Sequence, residues 1–140
     1  MTAGAPRLVP GAELPAHTFT VRREDLVRYA GASGDFNPIH YSDRTAVAVG
    51  LPGVVAHGML TMALAGRAVT AWAGGVSRIA EYAVRFSRPV VVPDDDTGVD
   101  LEVTGTVRDV TDGRARIDLT CTCAGQKVLG MARAVVRVAP

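Results

Sequence analysis

Eight consecutive residues, Ser33-Gly34-Asp35-Phe36-Asn37-Pro38-Ile39-His40, bring a hydroxyl, a carboxylate, an amide and an imidazole into one short stretch. Pro38 fixes its own φ and biases Asn37 away from helix, so the stretch reads as a rigid turn whose Asp35 and His40 side chains can face one point. A carboxylate and an imidazole held that way form a general acid–base pair, able to bind a water and move its protons. Seventeen residues after His40 of this turn comes His57-Gly58-Met59, at the head of an apolar run. A helix beginning there offers unpaired N–H groups and the positive end of its dipole to an oxygen that gathers negative charge. Glycine at that point lets a substrate come close to the backbone. Asp35 and His40 are thus the candidate catalytic residues. Gly58, Asn37, Ser33 and His57 are the candidate oxyanion and substrate-binding residues, with His57 read chiefly as positioning the helix start.

Other polar residues have plainer readings. Asp43 is expected to cap a short helix over Arg44–Gly50, and His17 to lie on the surface. Asp35, His40, Asp43 and His57 could in principle surround an ion, but no His-x-x-x-His or paired-cysteine spacing points to catalytic zinc, and neither metal nor cofactor is expected.

The elements that must hold these groups follow from periodicity. Val54–Trp72 is apolar at nearly every position, which predicts a helix buried on nearly every side; His57 and Arg67 within it argue against a membrane span. The second half of the chain supplies a wrapping. Val99, Leu101, Val103 and Val107 alternate with Asp100, Glu102, Thr104 and Thr106, the period-2 pattern of a half-buried strand, and Ala115–Cys123 repeats it. Asp112-Gly113 signals a hairpin between them and Ala124-Gly125 a second turn before Gln126–Val138; Tyr82–Val92 precedes all three as a further strand. Toward the N-terminus, Val21–Ala30 reads as an amphipathic helix capped by Thr20. The predicted class is α+β: one domain over residues 1–140, a curved antiparallel sheet wrapped around a central helix in the hot-dog arrangement, with an overhanging N-terminal segment carrying the catalytic loop.

The stretch Tyr29–Leu60, YAGASGDFNPIHYSDRTAVAVGLPGVVAHGML, resembles the signature of the MaoC-like, R-specific enoyl-thioester hydratases. Within that family the likeness is greatest to the catalytic subunit of mycobacterial-type 3-hydroxyacyl-acyl-carrier-protein dehydratases. The resemblance implies reversible hydration of trans-2-enoyl thioesters to 3R-hydroxyacyl thioesters, with Asp35 and His40 as the catalytic pair and the Gly58 N–H binding the thioester oxygen. It implies a carrier-protein or, alternatively, a CoA substrate, and a homodimer or a heterodimer with a related hot-dog subunit. A serine that some relatives carry in the central helix is replaced by Gly66, which would leave extra room for an acyl chain. A hot-dog thioesterase or a non-catalytic acyl-binding subunit would share the fold; the retained Asp35 and His40 speak against both.

Composition narrows the partners. The net charge of +1 comes from 15 basic and 14 acidic side chains with no run of either sign, so no nucleic-acid or anionic-membrane footprint exists. Arg67, Arg85 and Arg88 are the candidates for contacting an acidic carrier or a phosphate. The first twenty residues lack the apolar core of a leader peptide, and Cys121 and Cys123, two residues apart on a strand, cannot bridge; a reducing, cytoplasmic setting is expected.

Overall fold

The computed structural model describes residues 4–138. Its elements in chain order are β1 (Glu13–Val21), α1 (Arg23–Ser33), a 3-10 turn (Pro38–His40), α2 (Asp43–Ala48), α3 (Gly58–Ala73), a second 3-10 turn (Val76–Arg78), β2 (Ile79–Phe86), β3 (Val99–Thr111), β4 (Arg114–Cys123), the two-residue β5 (Gln126–Lys127) and β6 (Leu129–Arg137). The strands form one antiparallel sheet in the order β1-β3-β4-β6-β2, with β5 paired to β4. The predicted α+β class and wrapped helix are what the chain adopts.

Both turn signals hold. Asp112 and Gly113 have φ of 51° and 71°, and Ala124 and Gly125 have 50° and 75°, the double left-handed geometry whose twist matches that of the strands it joins. Alternation also delivers the core face: Leu101, Val103 and Val107 of β3, Ala115, Ile117, Leu119 and Cys121 of β4, and Ala132, Ala134 and Val136 of β6 are all buried against α3. Trp72, at the C-terminal end of α3, is fully enclosed and donates its Nε1–H to the Pro15 carbonyl at 2.9 Å, locking the helix to β1.

Several elements depart from expectation. Residues 13–21 are a strand, so the helix begins at Arg23; Thr20 caps nothing and instead donates to Asp100 across the sheet at 2.7 Å. Helix α1 is closed by a box in which the Arg22 N–H donates to the Asp25 carboxylate at 2.8 Å. Helix α3 starts at Gly58 and not at Val54, because Val54–Ala56 is held extended by backbone bonds to Ile39, Val90 and Val92. The strand from Tyr82 ends at Phe86, since Pro89 cannot donate to a ladder, and Val91 keeps only a bridge to Val55. Ser42, not Asp43, caps α2, accepting from the Thr45 N–H at 3.2 Å. His17 is half-buried, set edge-on against Trp72 at 5.9 Å and beside Phe19 at 6.2 Å.

Helix α3 is also less enclosed than its composition predicts. Met59, Ala63, Arg67 and Ala71 form an exposed stripe at i, i+4 spacing. The room expected at Gly66 is taken: a Cβ there would stand 3.2 Å from the Tyr82 ring, whose hydroxyl donates to the Met62 carbonyl at 2.6 Å. Among the described residues, no helix is long and apolar enough to cross a membrane.

Candidate active site

The turn carrying Asp35 and His40 is shaped by local hydrogen bonds. Ser33 Oγ accepts from the Asp35 N–H at 3.2 Å, Asp35 Oδ1 from the Asn37 N–H at 3.2 Å, and Asn37 Oδ1 from the Ile39 N–H at 3.2 Å, so three successive side chains fold the backbone back on itself. Pro38 then starts the 3-10 turn that delivers His40. A ladder-like pair fastens this turn to the extended segment before α3: the Val55 N–H donates to the Ile39 carbonyl at 3.1 Å, and His40 Nδ1 meets the Val55 carbonyl at 2.7 Å.

That last contact fixes the chemistry of His40. A carbonyl can only accept, so Nδ1 carries the hydrogen and the lone pair of the neutral ring lies on Nε2. His40 is 91% buried, and its Nε2 stands 3.7 Å from Asp35 Oδ2, whose carboxyl is half-exposed. Two acceptors at this separation can each take a hydrogen bond from one water, with arms of about 2.8 Å.

His40 lies against a cavity of about 330 Å³ whose walls include Ile39, Val55, Thr61, Phe86, Val128 and Leu129, with Arg88 also among its lining residues. Gly58 opens into it as the first residue of α3. Neither the Gly58 nor the Met59 N–H has a protein acceptor among the described residues, as helix geometry requires. The Phe86 ring sits directly over Gly58, where an added Cβ would come within 3.1–3.3 Å of it and the ring would have to give way.

Of the sequence-predicted residues, His40 and Gly58 line the cavity, and Asp35 joins them through the 3.7 Å approach of its Oδ2 to His40 Nε2 without lining the cavity itself. Ser33 and Asn37 are spent on shaping the turn and do not line it. His57 lies behind His40, 2% exposed, and likewise does not reach the cavity. Arg88 is beside the cavity and donates to Gln126 Oε1 at 2.6 Å. Arg67 is elsewhere: it lies 5.0 Å over the Phe19 ring in a groove of about 520 Å³ between β1, α1 and α3, so the arginines do not share one face. Thr61 and Phe86 were missed. Thr61 is the one hydroxyl a single turn beyond Gly58, a legible signal; Phe86 reaches the site only through the sheet.

Asp43 has a structural role. Its carboxylate accepts from the Val54 N–H at 2.9 Å and from Arg23 Nη2 at 2.9 and 3.0 Å, which together hold its pKa below the usual carboxylate range. Arg23 in turn donates from Nε to the Val92 carbonyl at 2.6 Å. The N-terminal helix, α2 and the segment leading into α3 are thereby tied together around the catalytic turn. Asp35, His40 and His57 offer one ligand atom each within 4.8 Å of one another.

Residues 7–122 match the family model described as the MaoC like domain. The chain is 32% identical over 123 residues to 3-hydroxyacyl-thioester dehydratase X of Mycobacterium tuberculosis, covering 82% of this chain but 41% of that protein. It is 30% identical over 120 residues to the 3-hydroxybutyryl-CoA dehydratase of Methylorubrum extorquens, covering 84% of this chain and 73% of the relative. Among solved structures, one titled MaoC-like dehydratase superposes with a TM-score of 0.91 at 38% identity over 97% of this chain and 43% of its own. The R-hydratase PhaJ1 from Pseudomonas aeruginosa superposes with a TM-score of 0.78 at 27% identity over 95% of this chain and 84% of its own. With the fold and these relatives in agreement, the chain belongs to the MaoC-like dehydratase domain family.

Proposed function

We propose that the chain catalyses the reversible addition of water to trans-2-enoyl thioesters, giving 3R-hydroxyacyl thioesters. The observation that carries this reading is the approach of His40 Nε2, the ring nitrogen left with a lone pair, to 3.7 Å from the Asp35 carboxylate, beside a cavity that His40 and Gly58 line. A water that donates one hydrogen to Nε2 and the other to the Asp35 carboxylate turns an oxygen lone pair toward the β-carbon. As the new C–O bond forms, the π electrons move through the α-carbon onto the thioester oxygen, and the Gly58 N–H and the N-terminus of α3 stabilise that charge. The proton lost by the water passes to the pair and returns from it to the α-carbon, so the pair ends in its starting state. Dehydration is the same path reversed. The test is to mix the protein with trans-2-enoyl thioesters of several chain lengths and follow loss of the conjugated absorbance; no turnover on any of them sinks the proposal.

The carrier is proposed to be acyl carrier protein, in a reducing cytoplasmic setting. Supporting this are the likeness of the catalytic motif to the carrier-protein dehydratases and Arg88 at the cavity, a cation placed to meet the phosphate of a pantetheine arm or an acidic carrier. Both cysteines are free thiols, and burial pushes that of Cys121 up to about 11. A CoA thioester is the second reading, favoured by the CoA dehydratase that the chain matches over most of both lengths. The specificity constants for one acyl group on the two carriers decide between them: the carrier-protein reading requires the higher value on carrier protein and a loss with Arg88→Gln.

The working unit is proposed to be a dimer of such domains, with itself or with a related subunit. Strand β2 is an edge of the sheet and leaves one row of N–H and C=O groups unpaired, while the exposed stripe of α3 carries Met59 and Ala63. Phe86, 55% exposed at the end of β2, would be covered by the same partner. Sedimentation equilibrium should show twice the chain mass for an active preparation, and an active monomer would rule the dimer out.

A further inference from the structure

The catalytic imidazole has a second imidazole directly behind it. His57 is stacked on His40 with ring centroids 3.8 Å apart and planes 22° from parallel. On its far side the Tyr29 ring of α1 meets it edge-on at 4.7 Å. Its Nε2 lies 3.1 Å from the main-chain carbonyl of Asp35, so it must be the nitrogen that carries the hydrogen. Its other nitrogen, Nδ1, is fully buried with no partner among the described residues.

We propose that His57 is the positioning residue of the acid–base pair: one ring fixes Asp35 through its carbonyl and His40 through its face, and so sets the separation across which the water is held. The inference rests on the function proposed above for Asp35 and His40.

Among the described residues, no other side chain both hydrogen-bonds Asp35 and stacks on His40. The other hydrogen bonds of Asp35 itself are local, to residues two apart; His57, twenty-two residues on and anchored at the start of α3, ties Asp35 to the body of the protein. The orphaned Nδ1 adds a further property. Protonating His57 would place a second N–H where no acceptor exists, and burial pushes its pKa below the ordinary histidine value. The groups facing the ring are Tyr29 from α1, Asp35 from the turn and His40 from the 3-10 helix. When His40 holds the proton taken from water, it therefore lies against a neutral ring and not against a second imidazolium. The two histidines are opposite tautomers: Nδ1–H on His40 and Nε2–H on His57.

Two variants separate the contacts. His57→Phe keeps a ring against His40 and loses the donor to Asp35; His57→Gln keeps a donor within reach of Asp35 and loses the ring. His57→Phe should lower kcat by about ten- to a hundredfold, the scale on which a misplaced catalytic group acts, with KM within about twofold of wild type. His57→Gln should recover part of that loss. Unchanged kcat in folded His57→Phe, or a change confined to KM, overturns the proposal. Imidazole nitrogen NMR on the wild-type protein tests it without any variant and without turnover. His57 should show a protonated Nε2 and a bare Nδ1 and stay neutral across the pH range in which the protein is folded and active; a protonated Nδ1 on His57 in that range overturns it. Absence of enoyl-thioester turnover in the wild type would remove the proposed function and leave this spectroscopic result to decide the role of His57.

Discussion

Asp35→Asn should lower kcat for enoyl-thioester hydration by at least about a hundredfold, and His40→Ala by a similar factor, the scale of a general acid–base contribution. Asparagine preserves the size of the side chain and leaves an oxygen able to accept from the Asn37 N–H, so the turn that aspartate builds should survive. What it loses is the capacity to take a proton. His40→Ala removes the Nε2 lone pair together with the Nδ1–H bond to the Val55 carbonyl, so its loss combines chemistry with some loosening of the turn. Asp35→Asn is therefore the cleaner test, and circular dichroism with a cooperative urea transition establishes that each variant is folded. Substrate contacts made by the apolar cavity walls remain, so KM should move much less than kcat. Rates near wild type in folded Asp35→Asn would mean that the half-exposed carboxylate beside His40 is a turn former only. The whole assignment would then fall back on His40 and the α3 N-terminus.

What could be read from the sequence was whatever is written in local pattern. Strands β3, β4 and β6 alternate cleanly because one face meets the core and the other meets water, and Asp112-Gly113 names its own turn geometry. Asp35 and His40 were legible because Pro38 and the Ser33, Asp35 and Asn37 side chains shape their turn locally. Strand β1 was not: Pro15 and the irregular pairing between Leu14 and His17 break its period, and what makes it a strand is β3 alongside it. The caps failed for a related reason. Thr20 and Asp43 have good capping side chains, yet Asp100 across the sheet claims the first and Arg23 with Val54 the second. The same limit hid the role of His57. Its place at a helix start is visible in one dimension, but its stacking on His40 depends on a turn seventeen residues away folding back over it. Nor could periodicity foresee that Tyr82 would fill the space beside Gly66, because that contact joins a helix to a strand through tertiary packing alone.

Trp72→Ala should cost about 3–5 kcal/mol of stability, the usual range for emptying a buried tryptophan site. This is the largest loss expected from any single core substitution in the chain. The indole is 1% exposed, lies where α3 meets the middle of the sheet, and its Nε1–H is the bond that ties the end of the helix to the irregular part of β1. Truncation would leave the Pro15 carbonyl without that donor, and would also remove the edge contact with His17. Gly105 shows how tightly the site is filled. A Cβ built there would fall 2.7 Å from two indole carbons, closer than atoms can approach, so β3 carries glycine in mid-strand to admit the ring. Gly105→Ala alone should therefore destabilise by about 1–3 kcal/mol through overpacking. In the Trp72→Ala background the same substitution meets empty space and should cost little or even stabilise. Urea unfolding of the two single variants and the double variant closes a cycle whose coupling is expected to be favourable by at least about 1 kcal/mol. Additive losses would show that the ring and Gly105 are not in the contact the fold describes. A small effect of Trp72→Ala alone would mean that α3 is held to the sheet mainly by its aliphatic face.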